Sequence, residues 1–223
     1  MTAFRTYIGT QRTAIVSLCT YTKTCTTSVG LKNSKSRIEN KETVLNSQNM
    51  RKGIKARRGD GTLGELIPHA NAIVDPGFAV ARGKVATIEI GIEVKILAKA
   101  MIKQIDRVMT DLREQAANFR KGLGNPICVG IVGVNHADVC TSYEGSRSYT
   151  TGGDGGPHPI QEAPEAIRRL EEQVRPSFDE FLIITFKATN VLPYKFQWFK
   201  YNDTAELYGA MLARTSQEYQ KRF

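Results

Sequence analysis

From Leu97 to Lys121, apolar residues recur at three- and four-residue steps: Leu97, Met101, Ile105, Val108, Leu112, Ala116 and Phe119. That period marks the buried face of an amphipathic helix. Gly122 and Gly124, followed by Pro126, end it. The period changes on either side. The preceding run, IEIGIEVKIL from Ile88 to Leu97, is rich in isoleucine and valine and predicts a strand. The following run, PICVGIVGVN, is continuously apolar and predicts a strand buried on both faces. Upstream, FAVARGKVATIEIGIEVKIL predicts a hairpin turning near Arg82-Gly83-Lys84, and NAIVDPG a short strand ending at Pro76-Gly77. Thr62 and Glu65 stand at capping-box spacing, which predicts a short helix that Pro68 keeps short.

Beyond Asn135 the stretch TSYEGSRSYTTGGDGGPHP is polar and glycine-rich and predicts a long loop. Residues 160–175 predict a charged helix, FLIITFKATN and YKFQWFKYN predict strands, and residues 204–222 a closing amphipathic helix. Residues 1–50 are rich in Thr, Ser, Asn and Lys, with a helix expected from Ser36 to Met50. The order is that of a mixed α/β domain with a C-terminal β-β-α extension. Two parts are expected: an N-terminal extension, residues 1–58, and a domain over 59–223. No internal repeat is present.

A chain of 223 residues can bury a substantial core. Its net charge of +9 favours a polyanionic partner, nucleic acid or an acidic surface. No apolar run reaches the length of a membrane span. Arg5 and Arg12 precede AIVSLC, a stretch too short and too interrupted by threonine for a signal peptide. Cys19, Cys25, Cys128 and Cys140 form no CxxC pair, and Cys128 reads as a small buried thiol. His69, His136 and His158 are too dispersed for a zinc site. A cytoplasmic, reducing setting is expected.

The predicted Ile88–Leu97 strand holds Glu89, Glu93 and Lys95 among apolar neighbours. Side chains two apart on a strand share a face, so Glu93 and Lys95 form a pair on a rigid support, with Ile92, Val94 and Ile96 on the other face. Alone, such a pair reads as an exposed ion pair of little worth. Asp75, upstream, changes the weighing. A hairpin between Asp75 and Glu93 brings two carboxylates together, and converging carboxylates invite a hard, oxygen-seeking cation such as magnesium.

Asp75 and the triplet Glu93-Val94-Lys95 resemble the motif of the PD-(D/E)xK nuclease superfamily, the restriction-endonuclease-like fold. The resemblance covers roughly residues 60–135, through the order helix, strand, hairpin, helix, strand. It implies a restriction-endonuclease-like core, a mixed central β-sheet flanked by helices. It also implies magnesium, with manganese as a substitute, held by Asp75, Glu93 and the main-chain carbonyl of Val94. Lys95 would position the attacking water or stabilise charge. Glu65 stands where the superfamily carries a glutamate on the preceding helix, and Gln104 where the following helix presents a polar residue. The sequence departs from the motif in having Asp75-Pro76 in place of Pro-Asp, and Pro68 conflicts with a helical Glu65.

The expected activity is metal-dependent endonucleolytic hydrolysis of DNA phosphodiester bonds, as in a type II-like restriction enzyme. The rivals are a repair or junction-resolving nuclease on the same core, and a catalytically silent nucleic-acid-binding protein. Arg51, Lys52, Lys55, Arg57 and Arg58 read either as a solvated loop or as a phosphate-contacting arm. Double-stranded DNA is the expected substrate. Cleavage of both strands calls for two sites and hence a homodimer. KFQWFK, Lys195–Lys200, reads as a base-stacking segment or as a strand burying its aromatics, and the second is favoured.

Overall fold

The computed structural model describes residues 32–46, 50–51, 54–55, 61–122, 124–153 and 155–223. Helix α1 (Lys32–Glu39) leads into strand β1 (Thr43–Asn46). Lys41 takes a left-handed backbone, φ 62°, so the helix cannot run on to Met50 as its sequence suggested. Short strands β2 (Met50–Arg51) and β3 (Ile54–Lys55) pair with each other. Then come β4 (Gly61–Leu66), β5 (Arg82–Gly83), β6 (Val85–Leu97), α2 (Met101–Arg120) and β7 (Ile127–Asn135). The chain closes with β8 (Thr141–Glu144), β9 (Arg147–Thr150), α3 (Pro159–Gln173), β10 (Glu180–Ala188), β11 (Phe196–Trp198) and α4 (Tyr201–Arg222).

Seven strands make a mixed sheet in the order β11-β10-β7-β6-β4-β1-β5. Several expectations are corrected here. Thr62 and Glu65 lie on strand β4, which pairs antiparallel with β1 and β6, so cross-strand pairing overrides the local capping signal. The segment around Arg82-Gly83 is not the turn of a hairpin. It forms β5, parallel to β1, with Leu45 opposite Arg82 and Asn46 opposite Gly83. Of NAIVDPG only Ile73 makes a bridge, to Arg82. The expected loop after Asn135 contains the β8–β9 hairpin. β1 falls within the expected N-terminal extension yet is hydrogen-bonded to β4.

Contacts divide the chain into two compact units: residues 1–93 with 115–129 and 212–223, and residues 94–114 with 130–211. In the first, Ile38, Leu63 and Val80 form an apolar cluster with Leu45 and Ile90 packed on it. The β4–β6 pairing slips twice. Leu63 faces Ile90 while Gly64 faces Ile88, and Glu65 faces Thr87 while Leu66 faces Val85. Glu89 is therefore the extra residue of a bulge, which re-aims its side chain. The close approach needs a glycine: a Cβ on Gly64 would stand 2.0 Å from the Thr87 carbonyl oxygen.

In the second unit the start of α2 buries Met101, Ile105 and Leu112 of the face read from its period, with Met109 buried beside a half-buried Val108. Its first two amides, of Met101 and Ile102, donate to the buried Glu162 carboxylate at 2.9 and 3.3 Å. Asn135, fully buried, ends β7 with its side chain doubly used in both senses. Its amide nitrogen donates to the carbonyls of Ala98 (3.0 Å) and Ala188 (2.8 Å), and its oxygen accepts from the amides of Ala137 and Ala188 at 3.0 Å. Strand β11 corrects a further expectation: Phe196 and Trp198 are each 42 % exposed, because β11 is the last strand in the sheet order. Among the described residues no helix is long and apolar enough to cross a membrane.

Candidate functional site

Strand β6 is held between β4 and β7, so its charged residues cannot all face water. Glu89 is 2 % exposed and Glu93 5 % exposed. Burying a carboxylate is costly unless donors replace its hydration. Glu89 has them. Arg37 on α1 reaches one oxygen at 2.5 Å, and the Thr43 hydroxyl on β1 and the Tyr219 hydroxyl on α4 donate to the other at 3.1 and 2.5 Å. Burial, then the bond to Glu89, pushes the Tyr219 phenol well above its ordinary range. Glu89 is thus committed to architecture: one carboxylate ties two helices and two strands together within the first unit.

Glu93 lies four residues further along β6, buried, and Lys95 two residues beyond it is half-buried. Strand alternation directs both to one face. Gly91, on the same alternation as Glu93, abuts the Phe119 ring of α2, where an added Cβ would stand 2.5 Å away. The face that carries Glu93 is therefore the face α2 covers. Val94 is half-buried on the alternate side.

The other expected site residues are placed differently. Asp75 is engaged by Arg82, whose Nη2 donates to Oδ1 at 2.8 Å while Nε donates to Oδ2. That bond is the main reason its carboxyl titrates below the usual range. Glu65 is exposed on β4, opposite Thr87, and is on no helix. Gln104 is exposed in the first turns of α2, its side-chain amide 3.4 Å from the Lys99 carbonyl. Among the described residues no group of three His, Cys, Asp or Glu side chains is arranged to hold a metal ion. Of the basic arm, Lys52, Arg57 and Arg58 lie outside the described residues, and Arg51 and Lys55 enter only through the backbone of β2 and β3.

No protein-family model, curated protein or solved structure matches the chain.

Proposed function

We propose that the chain is a metal-dependent endonuclease that hydrolyses DNA phosphodiester bonds on a restriction-endonuclease-like core. The observation that carries this reading is the buried Glu93 on β6 with Lys95 on the same alternation. The helix α2 and strand β7 that follow β6 support it, while over residues 61–97 the order is β4, β5, β6 in place of the helix, strand and hairpin the resemblance calls for.

The described donors do not make up a magnesium site, since Asp75 is paired with Arg82. Glu93 would be one ligand of the ion, and the ion would supply neutralisation of the phosphate. Lys95 contributes a point charge for the phosphate or the attacking water. The net charge of +9 draws the polyanion to the chain.

The test is cleavage of plasmid and linear duplex DNA by the full chain in magnesium, manganese or EDTA. Metal-dependent cleavage is expected. Glu93→Gln and Lys95→Ala should each lower it by about a hundredfold or more, while Asp75→Asn retains it. Loss in Asp75→Asn would return the second carboxylate to Asp75. Full activity of Glu93→Gln, or no metal-dependent cleavage, would end the nuclease reading. Discrete fragments would indicate sequence-specific restriction, and cleavage confined to branched or damaged DNA a repair role.

A further inference from the structure

Strand β11 is the last in the sheet order and is paired with β10. Its sequence is more apolar than an exposed edge ordinarily tolerates. Phe196 and Trp198 are each 42 % exposed, Phe199 is 38 % exposed, and Tyr201, which opens α4, is 64 % exposed. Four large aromatics within six residues at a sheet edge form a patch of the kind that marks an interaction surface.

The rings are held in place from beneath. Phe196 and Trp198 are two apart and share a face, opposite Ala188 and Phe186 of β10. The buried Phe186 ring stacks under Phe196, centroids 5.3 Å apart at 23°. Trp198 meets Phe196 edge-on, 4.8 Å away at 88°. Phe199 lies flat on His136, 4.6 Å apart at 13°, with the Lys187 ammonium 5.3 Å from its ring centroid. Rings fixed by a second layer lose little freedom when a further flat group settles on them.

The charges around the patch choose the occupant. Lys195 and Lys200 bracket the aromatic segment and Lys187 lies beside it. Asp138 is 3.7 Å from Lys187 and Asp203 3.9 Å from Lys200, both surface pairs that a phosphate displaces at little cost. Lysines flanking the edge strand also oppose edge-to-edge pairing with a second copy of the chain. What remains is a partner that is both polyanionic and furnished with exposed flat faces. Duplex DNA hides its base faces in its own stack, whereas a single strand offers them.

We propose that this edge binds single-stranded nucleic acid, with Phe196 and Trp198 stacking on unpaired bases and Lys187, Lys195 and Lys200 contacting the phosphates. Every base has a flat face, so the platform is tolerant of sequence. Cleavage plays no part in this binding, and the inference stands whether or not the chain is a nuclease.

Trp198 is the one tryptophan of the chain, which makes the test direct. Full-length protein is titrated in EDTA with oligothymidylate, and separately with the same strand annealed to oligoadenylate. Saturable quenching of tryptophan fluorescence by the single strand is expected, with clearly weaker quenching by the duplex. Labelled oligothymidylate should bind Trp198→Ala and Phe196→Ala between about fivefold and a hundredfold more weakly. Trp198→Phe should retain most of the affinity, and Lys195→Ala should flatten the salt dependence. Thermal unfolding of each variant shows that the fold is kept, which the exposure of these side chains favours. Unchanged fluorescence with oligothymidylate, or wild-type affinity in both alanine variants, would overturn the proposal. So would fluorescence that changes with protein concentration alone together with a sedimenting dimer that Trp198→Ala dissolves, because the edge would then be an interface between copies.

Discussion

The Tyr219 hydroxyl donates to the Glu89 carboxylate at 2.5 Å across 130 positions of chain. With Arg37 and Thr43 it gives a 2 %-exposed carboxylate three donors. Removing the carboxylate takes from the largely covered Arg37 guanidinium its nearest partner, leaving the Tyr219 hydroxyl at 3.2 Å and Glu42 at 3.9 Å. Glu89→Ala is expected to lower the unfolding free energy by about 3–5 kcal/mol. Tyr219→Phe, which removes the bond given to Glu89 and the one accepted from Arg37, should cost about 1.5–3 kcal/mol. Denaturant unfolding measures both, and a cost under ~1 kcal/mol for Glu89→Ala would show that the cluster does not hold the first unit together.

The same pair sets a limit on the alkaline side. The folded-state pKa of Tyr219 is raised, by burial first and then by the bond to Glu89. A raised pKa contributes stability that is intact below the unfolded value, about 10 for tyrosine, and is lost as pH rises through the folded value. Wild-type protein should therefore lose stability above about pH 10 more steeply than Tyr219→Phe. Ultraviolet titration should show one late-ionising tyrosine that this variant lacks. Equal alkaline slopes in the two proteins would contradict the assignment.

Ala100, the residue before α2, takes φ 47° and has no side-chain acceptor to offer the first amides. Glu162, from the first turn of α3, supplies the acceptors for the Met101 and Ile102 amides. A carboxylate on a helix N-terminus gains from the aligned peptide dipoles as well as from the bonds. Glu162→Ala should destabilise by about 1–3 kcal/mol, and Glu162→Gln by less. If the first turn of α2 depends on this contact, hydrogen exchange at its N-terminus should rise in Glu162→Ala with the C-terminal turns unaffected.

Gly91 lets Phe119 lie directly on β6, where a Cβ would be 2.5 Å from the ring. Gly91→Ala should cost about 1–3 kcal/mol through overpacking. Trimming the ring should recover part of the loss, so Gly91→Ala with Phe119→Leu should be less destabilised than the sum of the two single variants. Additive losses would mean that the two residues are not in contact.

The long elements were legible in the sequence. The three- and four-residue period from Met101 to Phe119 gave α2, and the continuous apolar run gave β7, because length averages out local noise. β4 was not legible. It is six residues long, and its Thr62–Glu65 spacing imitates a helix start. β5 was missed because its partner, β1, lies far upstream, beyond the range over which local pattern carries information. At β11, aromatic residues favour strands whether the strand is central or at an edge, so composition revealed the strand and misjudged its exposure. At the candidate site, the sequence placed Glu93 and Lys95 two apart on the strand that is β6. It gave no account of the donors that Glu89 would find. That depends on Arg37 and Tyr219, whose approach to Glu89 arises only from the packing of α1 and α4.

Asn135 joins the ends of three segments through four bonds to Ala98, Ala137 and Ala188. Each atom of its side chain has its role fixed by chemistry: the nitrogen can only give and the oxygen can only receive. A slip of β10 by one residue would turn each bonding group away, and Lys187 would take the place of Ala188. The amide therefore works as a counting device, accepting one alignment of the strands and rejecting its neighbours on either side. Asparagine is the one residue of its size that supplies both halves of this code. The isosteric change Asn135→Asp would confront two carbonyl oxygens with a third oxygen where they now meet a donor.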